Sequence, residues 1–310
     1  MAGAGVVVRR QRVLWWLFLV NFILGSIAAS PVRKAFGDVL DHSLASRALA
    51  DHFDLSAYIE LVNSPEFNIG IYRNLALLTG ILFALVVLFV EPGVIQEFRQ
   101  AVGINVQGMF QTAGEFFGAC GAFLLRLVRL LLWSVIPLVG VFLFLAVGVI
   151  EIPGDTSPSE ITGYYATLLT GFLIFLVLAA VRVWISMAEI ELVASGERKT
   201  RLTLFVAARK LTFGNFGKLY TIQLITSIAV ILVTLLGLAI WVRFVPPAAV
   251  GLAFVVSEII LLLLLACRLW QKASLVVWYE RWSAMQPKPV EQVPPEPVLT
   301  MNGPAEPLLP

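Results

Sequence analysis

Glu258 stands deep in an apolar run, GLAFVVSEIILLLLLAC (251–267), with Ser257 beside it. The run is long enough to cross a bilayer, and Glu258 falls near its middle. An ionisable group at that depth costs at least about 2.5 kcal/mol on insertion scales, so it must be protonated, paired or open to water. One chemistry this allows is a proton or ion relay, or a contact to a transported substrate. The structural alternative is a protonated carboxyl hydrogen-bonded to Asn21, Thr234 or another polar side chain of the bundle. A different helix position, with Glu258 nearer the outer surface, is the third reading. Asn21 and Gln223 also lie inside apolar runs and are candidates for hydrogen bonds between helices. Glu258, Ser257, Asn21 and Gln223 thus form the candidate intramembrane polar site.

Three other groupings suggest chemistry. Gly214-Asn215-Phe216-Gly217-Lys218 has the look of a phosphate loop, but it has two residues between its glycines where that motif has four, and Leu219 follows the lysine in place of Ser or Thr. It reads as a helix break with a lysine at the lipid headgroups. Asp41-His42 and Asp51-His52-Phe53-Asp54 offer metal-ligand types, and His42 and His52 are the only two histidines. On one helix the two would stand about 80° and about 15 Å apart, too far to share an ion without a bend. They read as a solvated polar face, and no metal site is assigned. Third, the stretch 189–218 gathers Arg198, Lys199, Arg201, Arg209, Lys210 and Lys218 beside membrane-length apolar runs. Each such cation near an anionic surface contributes about 1 kcal/mol, so these six are candidate contacts to anionic lipid as well as topology markers. Too few charges are present, and too close to membrane, for a nucleic-acid role. G-x-S-x-G, H-E-x-x-H and paired carboxylates within a span are all missing, so no catalytic residue and no cofactor is assigned.

The elements that must position these residues are membrane helices. The chain has 310 residues, 59% hydrophobic and 14% charged, against about 25% charged in soluble domains. Apolar runs predict an all-α, polytopic transmembrane bundle with six spans at about 13–30, 69–90, 123–150, 164–187, 220–242 and 249–267. The first run follows Arg9, Arg10 and Arg12 and ends in small residues, as a signal peptide does. Its length and Pro31 favour a retained anchor; cleavage would leave five spans. Amphipathic helices are expected on the membrane surface at 31–68 and 94–118, with Glu91-Pro92-Gly93 stopping the second span and Gly114 and Gly118 either admitting a close helix contact or marking a bend. Arg182 and Arg268 sit near span ends and read as snorkelling. Cys120 and Cys267 lie in apolar surroundings and read as buried small hydrophobes. The last span is expected to continue as RLWQKASLVVWYERW (268–282). The tail 285–310 holds eight of the sixteen prolines and is expected to be disordered.

Lys and Arg counts set the orientation. Segments 1–12, 91–129, 189–218 and 268–288 hold 3, 3, 6 and 4, whereas 151–163 and 243–249 hold none and one. Segment 31–73 departs from the pattern with four. The remaining counts predict six spans with both ends of the chain in the cytoplasm, and a cytoplasmic (inner) membrane location. Membrane lipids and other membrane proteins are the expected partners.

Two stretches resemble each other. GEFFGACGAFLLRLVRLLL (114–132) and TLFVAARKLTFGNFGKLYTIQL (203–224) both pass from a Phe/Ala-rich piece through basic residues into a span, with Phe117 and Ala119 matching Phe205 and Ala207. Shared amphipathic design and internal duplication both account for this. AARKLTFGNFGKLYTIQL (207–224), the acids Glu189 and Glu191 closing the preceding span, and the terminal ASLVVWYERW (273–282) resemble a broad class of uncharacterised bacterial six-helix membrane proteins. That class includes the membrane domain attached to some glycerophosphodiester phosphodiesterases. The resemblance covers about residues 75–282. It implies architecture and membrane location, not hydrolase activity, since the catalytic barrel is missing and no active-site residue transfers. Three functions stay open at this level: a non-enzymatic accessory component, a small transporter using Glu258, and an intramembrane enzyme acting on lipid.

Overall fold

A computed structural model describes residues 2–40, 59, 69–102, 113–150, 160–196, 200–246 and 249–286. Among them there are helices and no strand. They are α1 (Ala2–Arg9), α2 (Gln11–Leu40), α3 (Ile69–Val102), α4 (Ala113–Ile150), α5 (Glu160–Ser195), α6 (Thr200–Val206), α7 (Phe216–Phe244) and α8 (Val250–Met285). Six of them, α2, α3, α4, α5, α7 and α8, are long and apolar enough to cross a membrane. The apolar runs therefore become spans as their lengths require. The polytopic helical bundle is the fold.

α8 is the central helix, packing against α7, α1, α3, α2 and α5. Its 36 residues extend about 54 Å at 1.5 Å each, well beyond a hydrocarbon core of about 30 Å. The excess is where the bundle is packed. Buried apolar residues cluster in one layer: Ile95 and Phe98 on α3, Leu127 and Leu130 on α4, Met187 and Ile190 on α5, and Leu275 and Val276 on α8. α1 closes this layer by laying Val6 and Val7 against it. Gly3 makes that contact possible, because a Cβ there would come within 2.6 Å of the Ser274 backbone nitrogen. Toward the other end the same helices expose large apolar side chains, among them Leu78, Phe142, Leu173 and Leu236. Exposed apolar faces of this extent are unfavourable in water and neutral against lipid tails. The helices thus have a lipid-facing half and a protein-packed half, and both ends of the described chain lie in the packed half.

Three expectations are corrected. Glu91-Pro92-Gly93 does not stop the second span: α3 runs through it to Val102. A proline in a membrane helix is tolerated where neighbouring groups satisfy the backbone. Here Gly93 brings α4 into close contact, since a Cβ would lie 2.6 Å from Cys120 Sγ and 2.8 Å from the Phe116 ring. The predicted surface helix at 94–118 is therefore the end of α3 and the start of α4, and 103–112 lie outside the described residues. Secondly, α2 does not end near Ser30 but continues through Pro31 to Leu40. Pro31 cannot donate to the Ile27 carbonyl, and the Ser30 hydroxyl donates to it instead at 3.0 Å. The remainder of the predicted 31–68 surface helices, with His42 and His52, lies outside the described residues apart from Ile59, as does the tail from Pro287 on. Thirdly, Gly118 makes no close helix contact with the described residues, none of which stands within 4 Å of its would-be Cβ; Gly93 makes one instead. The two similar stretches also differ in form. The first lies on unbroken α4. The second is interrupted, as α6 gives way to a π turn (Ala207–Thr212) and a 3-10 turn (Phe213–Asn215) before α7.

Candidate functional site

Ion pairs of the described residues gather in the packed layer, at residues the sequence did not single out as a site. Lys272 on α8 reaches Glu91 on α3 and Glu189 on α5 together. It hydrogen-bonds Glu189 Oε2 and pairs with Glu91 Oε1. All three side chains are largely withdrawn from solvent, at 15%, 21% and 11% exposure. Two further pairs flank this triad. Arg10 Nη1 meets Glu97 Oε1 at 3.2 Å, and Arg99 Nε meets Glu280 Oε1 at 2.5 Å. The Tyr279 hydroxyl hydrogen-bonds the Glu191 carboxylate. Ionic contacts therefore tie α3 to α5 and α8, and the residue after α1 to α3, in the layer where these helices are in apolar contact. With the charges already desolvated, each pair holds only while both partners are present.

α5 is ended at this level by Gly196, at φ +64°, a left-handed position that suits glycine. The Gly196 N–H donates to the Leu192 carbonyl, and its own carbonyl accepts from Arg126 Nη1 at 2.9 Å. Two more bonds bind α5 to the next segment: Trp184 Nε1 donates to the Leu204 carbonyl at 3.2 Å, and the Tyr220 hydroxyl to the Leu176 carbonyl at 3.0 Å.

The sequence-predicted polar residues do not form one site. Glu258 lies fourteen residues before Lys272, about 21 Å along α8, and takes no part in the ionic layer. Its Oε2 is buried with no hydrogen-bond partner among the described residues. The two partners named for it, Asn21 and Thr234, and its neighbour Ser257 bond their own helices instead. Asn21 Nδ2 donates to the Leu17 carbonyl at 2.8 Å, the Thr234 hydroxyl to the Val230 carbonyl at 2.9 Å, and the Ser257 hydroxyl to the Phe254 carbonyl at 2.7 Å. Gln223 is elsewhere again. Buried on α7, it accepts from Gln271 Nε2 of α8 and donates to the Ser227 hydroxyl at 3.2 Å. This is a hydrogen bond between helices of the kind its position suggested. Gln223, Ser227 and Gln271 form one wall of a cavity of about 290 Å³ between α5, α7 and α8, which Arg182 and Arg268 also line.

Of the basic segment, Arg198 and Lys199 lie outside the described residues. Arg201 is exposed and stacks its guanidinium 3.7 Å from the Trp133 ring centroid. Arg209 is exposed on the π turn, which also carries Lys210, and Lys218 is exposed in the first turn of α7. Beneath them Leu204 and Ala207 enter the core. Cys120 is buried and Cys267 half-buried, both as free thiols.

Comparison with protein-family models, with curated proteins and with solved structures returns no match. Six helices suited to crossing a membrane and the ionic layer joining their ends define the class: a multi-pass membrane protein.

Proposed function

We propose that the protein is a non-catalytic component of a cytoplasmic membrane, serving as a structural or assembly partner for other membrane proteins. Its packed, basic end faces the cytoplasm. One observation supports this above all: the charges in the packed layer are used on one another, Lys272 with Glu91 and Glu189, Arg10 with Glu97, Arg99 with Glu280. Groups engaged in this way brace helices and are not left to bind or turn over a substrate. The excess of Lys and Arg at this end supports the orientation. The resemblance to bacterial six-helix membrane proteins agrees with the location.

A second reading, a small transporter, draws on the buried and unpartnered Oε2 of Glu258. One preparation separates the two. Extracted from its own membrane in mild detergent, the chain is expected to travel with a second membrane protein in fixed ratio. Proteoliposomes of the pure chain are expected to take up protons no faster than empty vesicles, with Glu258→Gln indistinguishable from the parent. A partnerless chain whose vesicles carry protons, with that flux lost in Glu258→Gln, would overturn the first reading in favour of the second.

A further inference from the structure

Arg182 and Arg268 both point to one place. Arg182 comes from α5 and Arg268 from α8, and both line the cavity bounded by Gln223 and Ser227 of α7 and Gln271 of α8. Neither arginine forms an ion pair among the described residues, in contrast to Arg10, Arg99 and Lys272 a few turns away. No carboxylate lines the cavity. α7 contains no acidic residue at all. Glu189, two turns beyond Arg182 on α5, feels its charge at a distance but is bonded to Lys272, and Glu258 lies ten residues from Arg268, about 15 Å along α8. The cavity therefore concentrates two positive charges and amide and hydroxyl groups with no anion of its own.

Helix length on three helices agrees on its depth. Arg182 is eighteen residues from Tyr164, Gln223 nineteen from Val242, and Arg268 eighteen from Val250. Those three partners stand at the far end of their spans, where Tyr164 and Arg243 mark an interface. Eighteen or nineteen residues measure about 27–29 Å, close to one hydrocarbon thickness. The two guanidiniums and the glutamine thus share the level of lipid phosphates in the leaflet on the packed side. The rest of the lining is apolar, with Phe175, Leu178, Val230 and Ile231 running toward the bilayer interior, and Leu178 and Ile231 are exposed on the lipid-facing surface.

We propose that this cavity binds an anionic glycerophospholipid, with its phosphate between Arg182 and Arg268 and an acyl chain lying out along α5 and α7. Guanidinium groups suit phosphate because each can offer two parallel N–H donors. Gln271 and Gln223 close the polar floor, and the apolar wall takes the chain that a free phosphate lacks. The site is distinct from the basic segment 198–218, and it stands whether the protein is an accessory component or a transporter.

The test uses the full chain in nanodiscs of phosphatidylcholine, into which phosphatidylglycerol is titrated while bound lipid is followed by native mass spectrometry. Phosphatidylglycerol is expected to be retained in preference to phosphatidylcholine by a factor on the order of twenty, as two cations at headgroup depth imply. Arg182→Gln with Arg268→Gln should abolish the preference, while Arg201→Gln with Arg209→Gln should keep most of it. Val230→Trp keeps both charges, fills the cavity and should also lose the bound lipid, so a folding defect in the arginine double variant would leave the test intact. Inorganic phosphate is expected not to displace the lipid. No preference in the parent, a preference that survives both the arginine and the Val230 changes, or displacement by inorganic phosphate would each overturn the assignment.

Discussion

Replacing Lys272 with methionine is expected to be among the most damaging single changes in the bundle, lowering its stability by roughly 3–5 kcal/mol. Lys272 is the only cation in contact with both Glu91 and Glu189 among the described residues. Methionine fills a similar volume, so the loss is electrostatic rather than steric. It leaves two carboxylates facing each other in a layer largely withdrawn from solvent, and no other cation is in contact with them among the described residues: Arg182 acts on Glu189 only at longer range, Arg268 pairs with neither, and Arg99 is engaged with Glu280. Glu189→Gln alone should be milder, because Lys272 keeps Glu91. The informative variant is the triple change, Lys272→Met with Glu91→Gln and Glu189→Gln. Removing every charge removes the desolvation penalty with the attraction, so much of the stability should return. Melting in detergent, read as the folded fraction by size-exclusion chromatography after heating, orders the variants as parent, triple, single. A single variant as stable as the parent, or a triple variant worse than the single, would show that the ionic contacts do not brace the layer.

Phe98→Ala is expected to cost about 3–5 kcal/mol, whereas Phe142→Ala should change stability by no more than about 0.5 kcal/mol. The two residues are chemically the same and differ in where the fold places them. Phe98 is fully buried in the packed layer, and Phe142 is 69% exposed on the lipid-facing half of α4. Truncating Phe98 opens a cavity among Ile95, Leu130 and their neighbours in the core cluster, and rigid helix ends tied by ion pairs have little freedom to collapse into it. Truncating Phe142 exchanges ring–lipid contact for lipid–lipid contact, which is close to neutral because lipid tails are as apolar as the ring. The same detergent melt reads both. Equal effects at the two positions would mean that packing is spread along the spans and not concentrated at one end.

The six spans were legible because a bilayer imposes a length and a composition that apolar runs either meet or do not. The continuation of the last span through RLWQKASLVVWYERW was legible for a related reason: its apolar residues kept helical spacing after the membrane-length run ended. What could not be read was which helices meet. Lys272, Glu91 and Glu189 lie up to 181 residues apart, and nothing local to any of them names its partners. A signal was nonetheless present. Lys272 is flanked at helical spacing by Leu269, Leu275 and Val276, all buried, and a charge amid such neighbours calls for a counter-charge. Pro92 misled for the opposite reason. Proline is a local helix breaker, but α3 runs through it, with Gly93 in close contact with α4. Gln223 was read as a link between helices and does bond Gln271. Glu258 was paired in expectation with Asn21 or Thr234, and both gave their donors to their own backbones, as polar side chains in membrane helices commonly do.

Six spans whose packed end carries both ends of the described chain are tested most directly by thiol labelling in sealed vesicles. In a background with Cys120→Ala and Cys267→Ala, single cysteines replace Gly5, Ala284 and Arg243, all exposed. A membrane-impermeant maleimide is expected to label Gly5→Cys and Ala284→Cys from the same side and Arg243→Cys only from the other. Labelling of the Gly5 and Ala284 positions from opposite sides, or of all three from one side, would contradict the six-span bundle.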